Sequence, residues 1–139
     1  MLLNNVCNIV ILLWGCVMVS LGICMMLFPE IVIENYGLQA SGSIGWSAIS
    51  GNFSSLICFL GLAAVLGVST KNRFWLFNVL IVESLILMGR GIAIIQHGYS
   101  VEVAVLLVAE ILIAVIIVVQ IKIEPLRKDP LGQDSSISV

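Results

Sequence analysis

The fold of this chain is decided by residues 74–96, which read FWLFNVLIVESLILMGRGIAIIQ. This run is long and apolar enough to cross the roughly 30 Å of hydrocarbon in a bilayer as one helix, yet it contains Glu83 and Arg90. Insertion scales assign roughly 2.5–3.5 kcal/mol to an Arg at a helix centre, and a guanidinium cannot avoid that cost by losing its proton. Arg90 therefore needs a partner inside the membrane.

The composition of the whole chain also indicates a bilayer as its solvent. Hydrophobic residues make up 60% of the sequence, charged residues only 10%, and the mean hydropathy is +1.18. These values lie outside the range of soluble domains. We predict an all-α integral membrane protein, a four-helix antiparallel bundle formed by residues 1–121, because four apolar runs reach the roughly 20 residues needed for a span: about 3–28, 43–68, 74–96 and 101–121.

The distribution of charge predicts the orientation of the bundle. Five of the six basic residues lie at 71–73 and 122–128, while the other turns carry acidic residues and a single His. The positive-inside rule therefore predicts cytoplasmic N- and C-termini, with residues 122–139 as a cytoplasmic tail that is partly disordered. Residues 1–5 contain no basic residue, so we expect a retained helix and not a secretion signal. The expected location is an inner (plasma) membrane.

Two further features are read as parts of the fold. The connection at 29–42 predicts either a short helix that lies on the outer membrane surface and buries Ile31, Val32 and Ile33, with Tyr36 at the interface, or an irregular loop. The four cysteines lie within the spans and form no Cys-x-x-Cys pair. We interpret them as small apolar packing residues.

The second span carries small residues four positions apart, at Ser43, Ser47, Gly51 and Ser55. This spacing keeps them near one face of a helix, where another backbone can approach closely. Two interpretations stay open: packing within the bundle, or a homo-oligomer formed through Ser47, Gly51 and Ser55.

Helical rise converts sequence position into depth in the membrane. Counted from the outer ends of the helices at 1.5 Å per residue, Arg90 lies about 10 Å down, Glu110 about 15 Å and Glu83 about 21 Å. We therefore predict a buried polar centre, or ligand-binding site, in one layer of the bundle, and expect one of the acids to hold a proton at neutral pH because two carboxyl groups face one guanidinium. The candidate residues are Glu83, Arg90, Glu110, Asn52, Ser20, Ser84 and His97.

Several short patterns together resemble a known family. They are Pro29-Glu30, Tyr36-Gly37-Leu38, the small-residue-rich stretch 47–61, the pair Glu83 and Arg90 with Gly89 before the Arg, and Glu110 in the last span. This combination, which covers residues 29–121, resembles small bacterial four-helix membrane proteins related to the DoxX-like group. The resemblance implies a four-helix bundle in which Glu83, Arg90 and Glu110 are the typical polar positions, and it brings no established reaction.

Three classes of function are compatible with this centre. The first is an accessory or binding protein for a lipid-like or small amphipathic ligand; the second is a proton- or ion-coupled transporter or channel subunit; the third is an intramembrane lipid-modifying enzyme with one Glu as acid and the other as base. The sequence contains no nucleotide motif, metal cluster or nucleophile elbow. We therefore expect no cofactor, no metal and no catalytic residue, and the net charge of −2 without a basic patch gives no nucleic-acid partner. The bilayer itself is the expected partner.

Overall fold

The computed structural model describes residues 2–35, 39–98 and 100–123, and this part of the chain is helical without strands. Four helices are long and apolar enough to cross a membrane, which indicates an integral membrane protein: Leu2–Leu27, Gly42–Thr70, Arg73–His97 and Val101–Ile123. Each bound lies within two residues of the predicted one. The predicted Tyr36 anchor and the tail from residue 124 onward fall outside the described residues.

The elements follow one another with short connections. In chain order they are α1 (Leu2–Leu27), α2 (Pro29–Asn35), α3 (Gly42–Ser47), a π-helical segment (Ala48–Phe53), α4 (Ser54–Thr70), α5 (Arg73–His97) and α6 (Val101–Ile123). The second span therefore consists of α3, the π-helical segment and α4 in one continuous rod. The apolar run predicts one α-helix there, so the π-helical segment is a difference from the prediction.

Local turn chemistry sets the ends of the spans. Lys71 ends α4 in the left-handed region at φ 52°, and the side chain of Asn72 caps α5 by accepting a hydrogen bond from the Phe74 N–H at 3.0 Å. Gly98, at φ 89°, ends α5, and the Ser100 hydroxyl oxygen accepts from the Val103 N–H at the start of α6. These tight connections make α4, α5 and α6 antiparallel neighbours.

The four spans form a closed ring in which α1 packs on α4, α4 on α5, α5 on α6 and α6 on α1. The main core contains one or more buried residues from every span, among them Ile11, Leu60, Leu76 and Ile117. All four lie toward the end of the bundle that carries Lys71, Arg73 and Lys122, which we call the basic end. The opposite end, with Glu30, Glu34 and Glu102, is called the acidic end.

The connection after α1 forms the predicted short helix, but part of its apolar face is used differently from the expectation. Val32 and Ile33 of α2 are buried in a second core with Met25 and Ile49, whereas Ile31 is 64% exposed. Two of the three expected membrane-facing residues thus pack on the bundle. The reason is geometric, because Pro29 ends α1 and starts α2 directly against the last turn of α1.

The closest helix contact lies between α1 and α4 and depends on glycine. A Cβ atom built on Gly61 would lie 2.5 Å from the Gly15 carbonyl oxygen and 2.6 Å from the Val19 nitrogen. Gly22 is equally tight against α4, where its Cβ would lie 2.8 Å from the Ser54 carbonyl oxygen. The backbones of α1 and α4 therefore approach each other closely at these glycines and not at the small-residue ladder that the sequence predicts.

Candidate polar site in the bundle

Arg90 and Glu110 form a side-on ion pair between α5 and α6. The Arg90 Nε donates to Glu110 Oε2 at 2.7 Å and Oε1 at 2.9 Å, and Nη2 lies 2.7 Å from Oε1. Arg90 stands seven residues before the end of α5 and Glu110 nine residues after the start of α6, so their heights differ by only about 3 Å. The partner that the sequence demanded for Arg90 is therefore Glu110.

Glu83 lies two turns below Arg90 on the same stripe of α5, in line with the buried residues Leu76 and Val79. Its side chain is 2% exposed, and Oε2 is buried without a hydrogen-bond partner in the described part of the chain. The carboxyl group is near enough to interact electrostatically with both Glu110 and Arg90. A buried polar atom without a partner costs roughly 1–3 kcal/mol, so Glu83 is the unsatisfied member of the centre.

The bundle is tightly packed at the basic end but open around the ion pair. Within the described residues, α5 has no buried side chain after Glu83, and α6 has none before Ile113. The side chains of Arg90 and Glu110 keep 28% and 18% of their surfaces exposed although both lie on the inward stripes of their helices. We call this half, bounded by α5 after Glu83 and α6 before Ile113, the open half.

Two other observations support the division of the bundle into a packed basic end and an open half. The π-helical segment packs on α1 but makes at most marginal contact with α5 or α6 in the described part of the chain. Cβ atoms built on Gly89 and Gly91 of α5 would meet no atom within 4 Å, in contrast to the tight glycines of α1 and α4. The α5–α6 hairpin is thus held against the α1–α4 pair through its basic-end half.

Asn52 does not belong to the charged centre in this structure. It is exposed on the π-helical segment and lines a separate cavity of about 450 Å³ together with Ser43, Ile44, Ser47 and Ala48. This cavity shares no described residue with the ion pair. Depth alone suggested Asn52, but the π-helical segment offsets the faces of the second span on either side of it.

The expected hydrogen bonds from serine to the centre are also not formed. The Ser20 hydroxyl donates to the Cys16 carbonyl oxygen at 2.9 Å, and the Ser84 hydroxyl donates to the Leu80 carbonyl oxygen at 2.7 Å. Both side chains are exposed and satisfied by their own helices, which is the usual outcome for a hydroxyl without another partner. His97 lies exposed at the last turn of α5.

A second polar contact inside the bundle had no place in the sequence prediction. The Gln120 Nε2 donates to the Asn4 Oδ1 at 2.8 Å and joins α6 to α1 near the basic end. Gln120 is fully buried, and the Oδ1 of Asn8, one turn from Asn4, is buried without a hydrogen-bond partner in the described residues. Two asparagines four positions apart indicate a polar face on α1, but the sequence does not show that Gln120 is its partner.

All four residues of the small-residue ladder in the second span are exposed. Gly51 would accommodate a Cβ atom with no neighbour within 4 Å, and the hydroxyl of Ser55 donates to the Gly51 carbonyl oxygen of its own helix. The homo-oligomer through Ser47, Gly51 and Ser55 therefore stays a prediction.

Chemically, the centre combines a neutralised guanidinium, a buried carboxyl group with an oxygen that has no partner among the described residues, and apolar walls from α5 and α6. Such a mixture of apolar surface and a few convergent polar groups is typical of small-molecule sites between helices. No family model, curated protein or solved structure matches this chain.

Proposed function

We propose that this protein binds an amphipathic, lipid-like molecule in the open half of the bundle. The polar end of the ligand would lie at Arg90, Glu110 and Glu83, and its apolar part would lie along the inward faces of α5 and α6. The observation that supports this most directly is the exposure of the ion pair at 28% and 18% on inward-facing stripes. A polar group that faces hydrocarbon is costly, so a polar partner in that space lowers the free energy of the complex.

The test is lipid analysis of the protein purified into nanodiscs of one defined phospholipid. We expect wild type to retain a molecule other than that phospholipid, and the double variant Arg90→Leu with Glu110→Gln to lose it. The matched control, Lys122→Leu with Glu102→Gln, removes one cation and one acid from exposed positions on α6 and is expected to retain the molecule. Equal recovery from all three proteins, or from none, would contradict the proposal.

A proton-coupled transporter or channel subunit is the second candidate, and the buried Glu83 favours it. A carboxyl group that is 2% exposed and has no hydrogen bond at Oε2 from the residues that the structure describes could exchange a proton under the influence of the nearby ion pair. Proton flux into liposomes that disappears in Glu83→Gln would support transport over binding. Flux equal to that of empty liposomes would remove this candidate.

We further propose that the basic end faces the cytoplasm of a bacterial cell, in the inner membrane, as the positive-inside rule predicts. The experiment uses a background in which all four cysteines are replaced by Ala. In that background, Glu102→Cys is expected to react with a membrane-impermeant maleimide in intact cells, and Lys71→Cys only after the membrane is permeabilised. Both positions are exposed at helix ends. The reverse pattern of labelling would invert the proposed orientation.

Membership of the DoxX-like group stays a prediction.

A further inference from the structure

The charge balance of the site bears on the kind of ligand that it accepts. The Nε of Arg90 is bonded to both carboxylate oxygens of Glu110, and Nη2 adds a third contact to Oε1. The guanidinium is therefore already neutralised by a partner that it holds side-on. An anionic head group would have to compete with Glu110 for the guanidinium, and it would approach a second acid, Glu83, whose ionised form repels an anion strongly in a low dielectric.

The unpartnered Oε2 atom of Glu83 favours an uncharged polar group over an anion. Glu83 Oε2 is buried and lacks a hydrogen bond within the described residues. If the carboxyl group is ionised, it needs a hydrogen-bond donor; if it is protonated, it needs both a donor and an acceptor. A hydroxyl group satisfies either state because it donates one hydrogen bond and accepts others.

The depth of Glu83 in the membrane limits which head groups can reach it. Glu83 stands fourteen residues before the end of α5, which corresponds to about 21 Å of helix below the acidic end, and Arg90 lies between it and that end. A phosphate-bearing head group that stays at the membrane surface cannot reach this level. An uncharged hydroxyl can enter hydrocarbon at far lower cost than a charged group.

Resting on the proposed function, we infer that the ligand is an uncharged, hydroxyl-bearing amphiphile whose hydroxyl group bonds to Glu83, and that long-chain anions are discriminated against. The hydroxyl is placed deep in the bundle, beyond the ion pair, and the hydrocarbon chain lies in the open half.

The experiment compares two photoreactive probes in phospholipid nanodiscs. They are a diazirine-bearing hexadecanol and a hexadecanoic acid with the diazirine at the same carbon, and crosslinks on residues 83–113 are counted by mass spectrometry. We expect the alcohol to label this region roughly tenfold more than the acid, the ratio that one hydrogen bond to a charged group produces. Glu83→Leu is expected to remove the excess labelling by the alcohol.

Two more variants separate an effect on hydroxyl binding from an effect on folding or on charge elsewhere. Glu83→Gln retains an acceptor and a donor but has no charge, so it is expected to fold and to keep a smaller, roughly two- to fivefold preference for the alcohol, as a neutral hydrogen bond produces. Glu102→Leu makes the same acid-to-apolar change at an exposed position and is expected to leave the preference unchanged. Equal or stronger labelling by the acid, unaffected by Glu83→Leu, would overturn the hydroxyl inference while the ligand site stands. Background labelling by both probes would overturn the site itself and the inference with it.

Discussion

Arg90→Leu is expected to lower the free energy of unfolding by roughly 2–3 kcal/mol, less than the about 3–5 kcal/mol typical of a fully buried pair because the pair is partly exposed. The loss arises from Glu110, which would remain at 18% exposure without the cation that now binds both of its oxygens. Within the described residues, Glu83 has no hydrogen bond at Oε2, and it would lose the nearby positive charge of Arg90 that interacts with it. Tryptophan fluorescence during detergent-induced unfolding measures the change.

The double variant Arg90→Leu with Glu110→Gln separates this cause from a simple packing defect. It removes the stranded acid, so we expect it to recover more than half of the lost stability. Lys122→Leu, which removes an exposed cation at the basic end, is expected to change stability by no more than about 0.5 kcal/mol. If the single and double variants unfold at the same detergent concentration, the ion pair does not stabilise the bundle in this way.

Gly61→Ala is the second substitution with a large expected effect. The new Cβ atom would lie 2.5 Å from the Gly15 carbonyl oxygen and 2.6 Å from the Val19 nitrogen, and neither backbone atom can rotate away. The helices α1 and α4 must therefore separate, at a cost of roughly 1–3 kcal/mol for overpacking. The same unfolding assay detects this loss.

Gly89→Ala provides the matched control for this prediction. Its Cβ atom would meet nothing within 4 Å, so the gain in helix propensity, up to about 1 kcal/mol, should appear without an opposing clash. We expect the two variants to shift stability in opposite directions. A Gly61→Ala protein as stable as Gly89→Ala would show that the α1–α4 contact is not limited by the size of residue 61.

The sequence predicted the heights of the groups well but not the directions in which they face. Rise per residue is nearly constant in a helix, which is why the span bounds and the meeting of Arg90 with Glu110 followed from counting. Direction depends on the helical phase, and the π-helical segment Ala48–Phe53 changes that phase within the second span. Asn52, which lies on this segment, is therefore grouped with Ser43 and Ser47 and not with the charged centre that counting predicts.

Competition between local and distant hydrogen bonds accounts for the other differences. Ser20 and Ser84 each have a carbonyl oxygen of their own helix within reach, and they use it. The bond between Gln120 and Asn4 joins residues 116 positions apart, and a single sequence carries no signal that pairs them. Burial of Val32 and Ile33 likewise depends on where α2 meets the bundle and not on its own composition.

The helices α1 and α4 contact each other tightly through glycines, whereas α5 and α6 are loosely packed in the open half. The two pairs of helices therefore differ in how well they tolerate substitution. A larger residue at Gly15, Gly22 or Gly61 meets backbone atoms of the facing helix. Selection therefore removes substitutions at these positions because they impair folding. Side chains of the open half have few neighbours to disturb, and most exchanges there cost little stability. New ligand preferences can therefore arise in α5 and α6 by single substitutions while the scaffold that carries them stays intact.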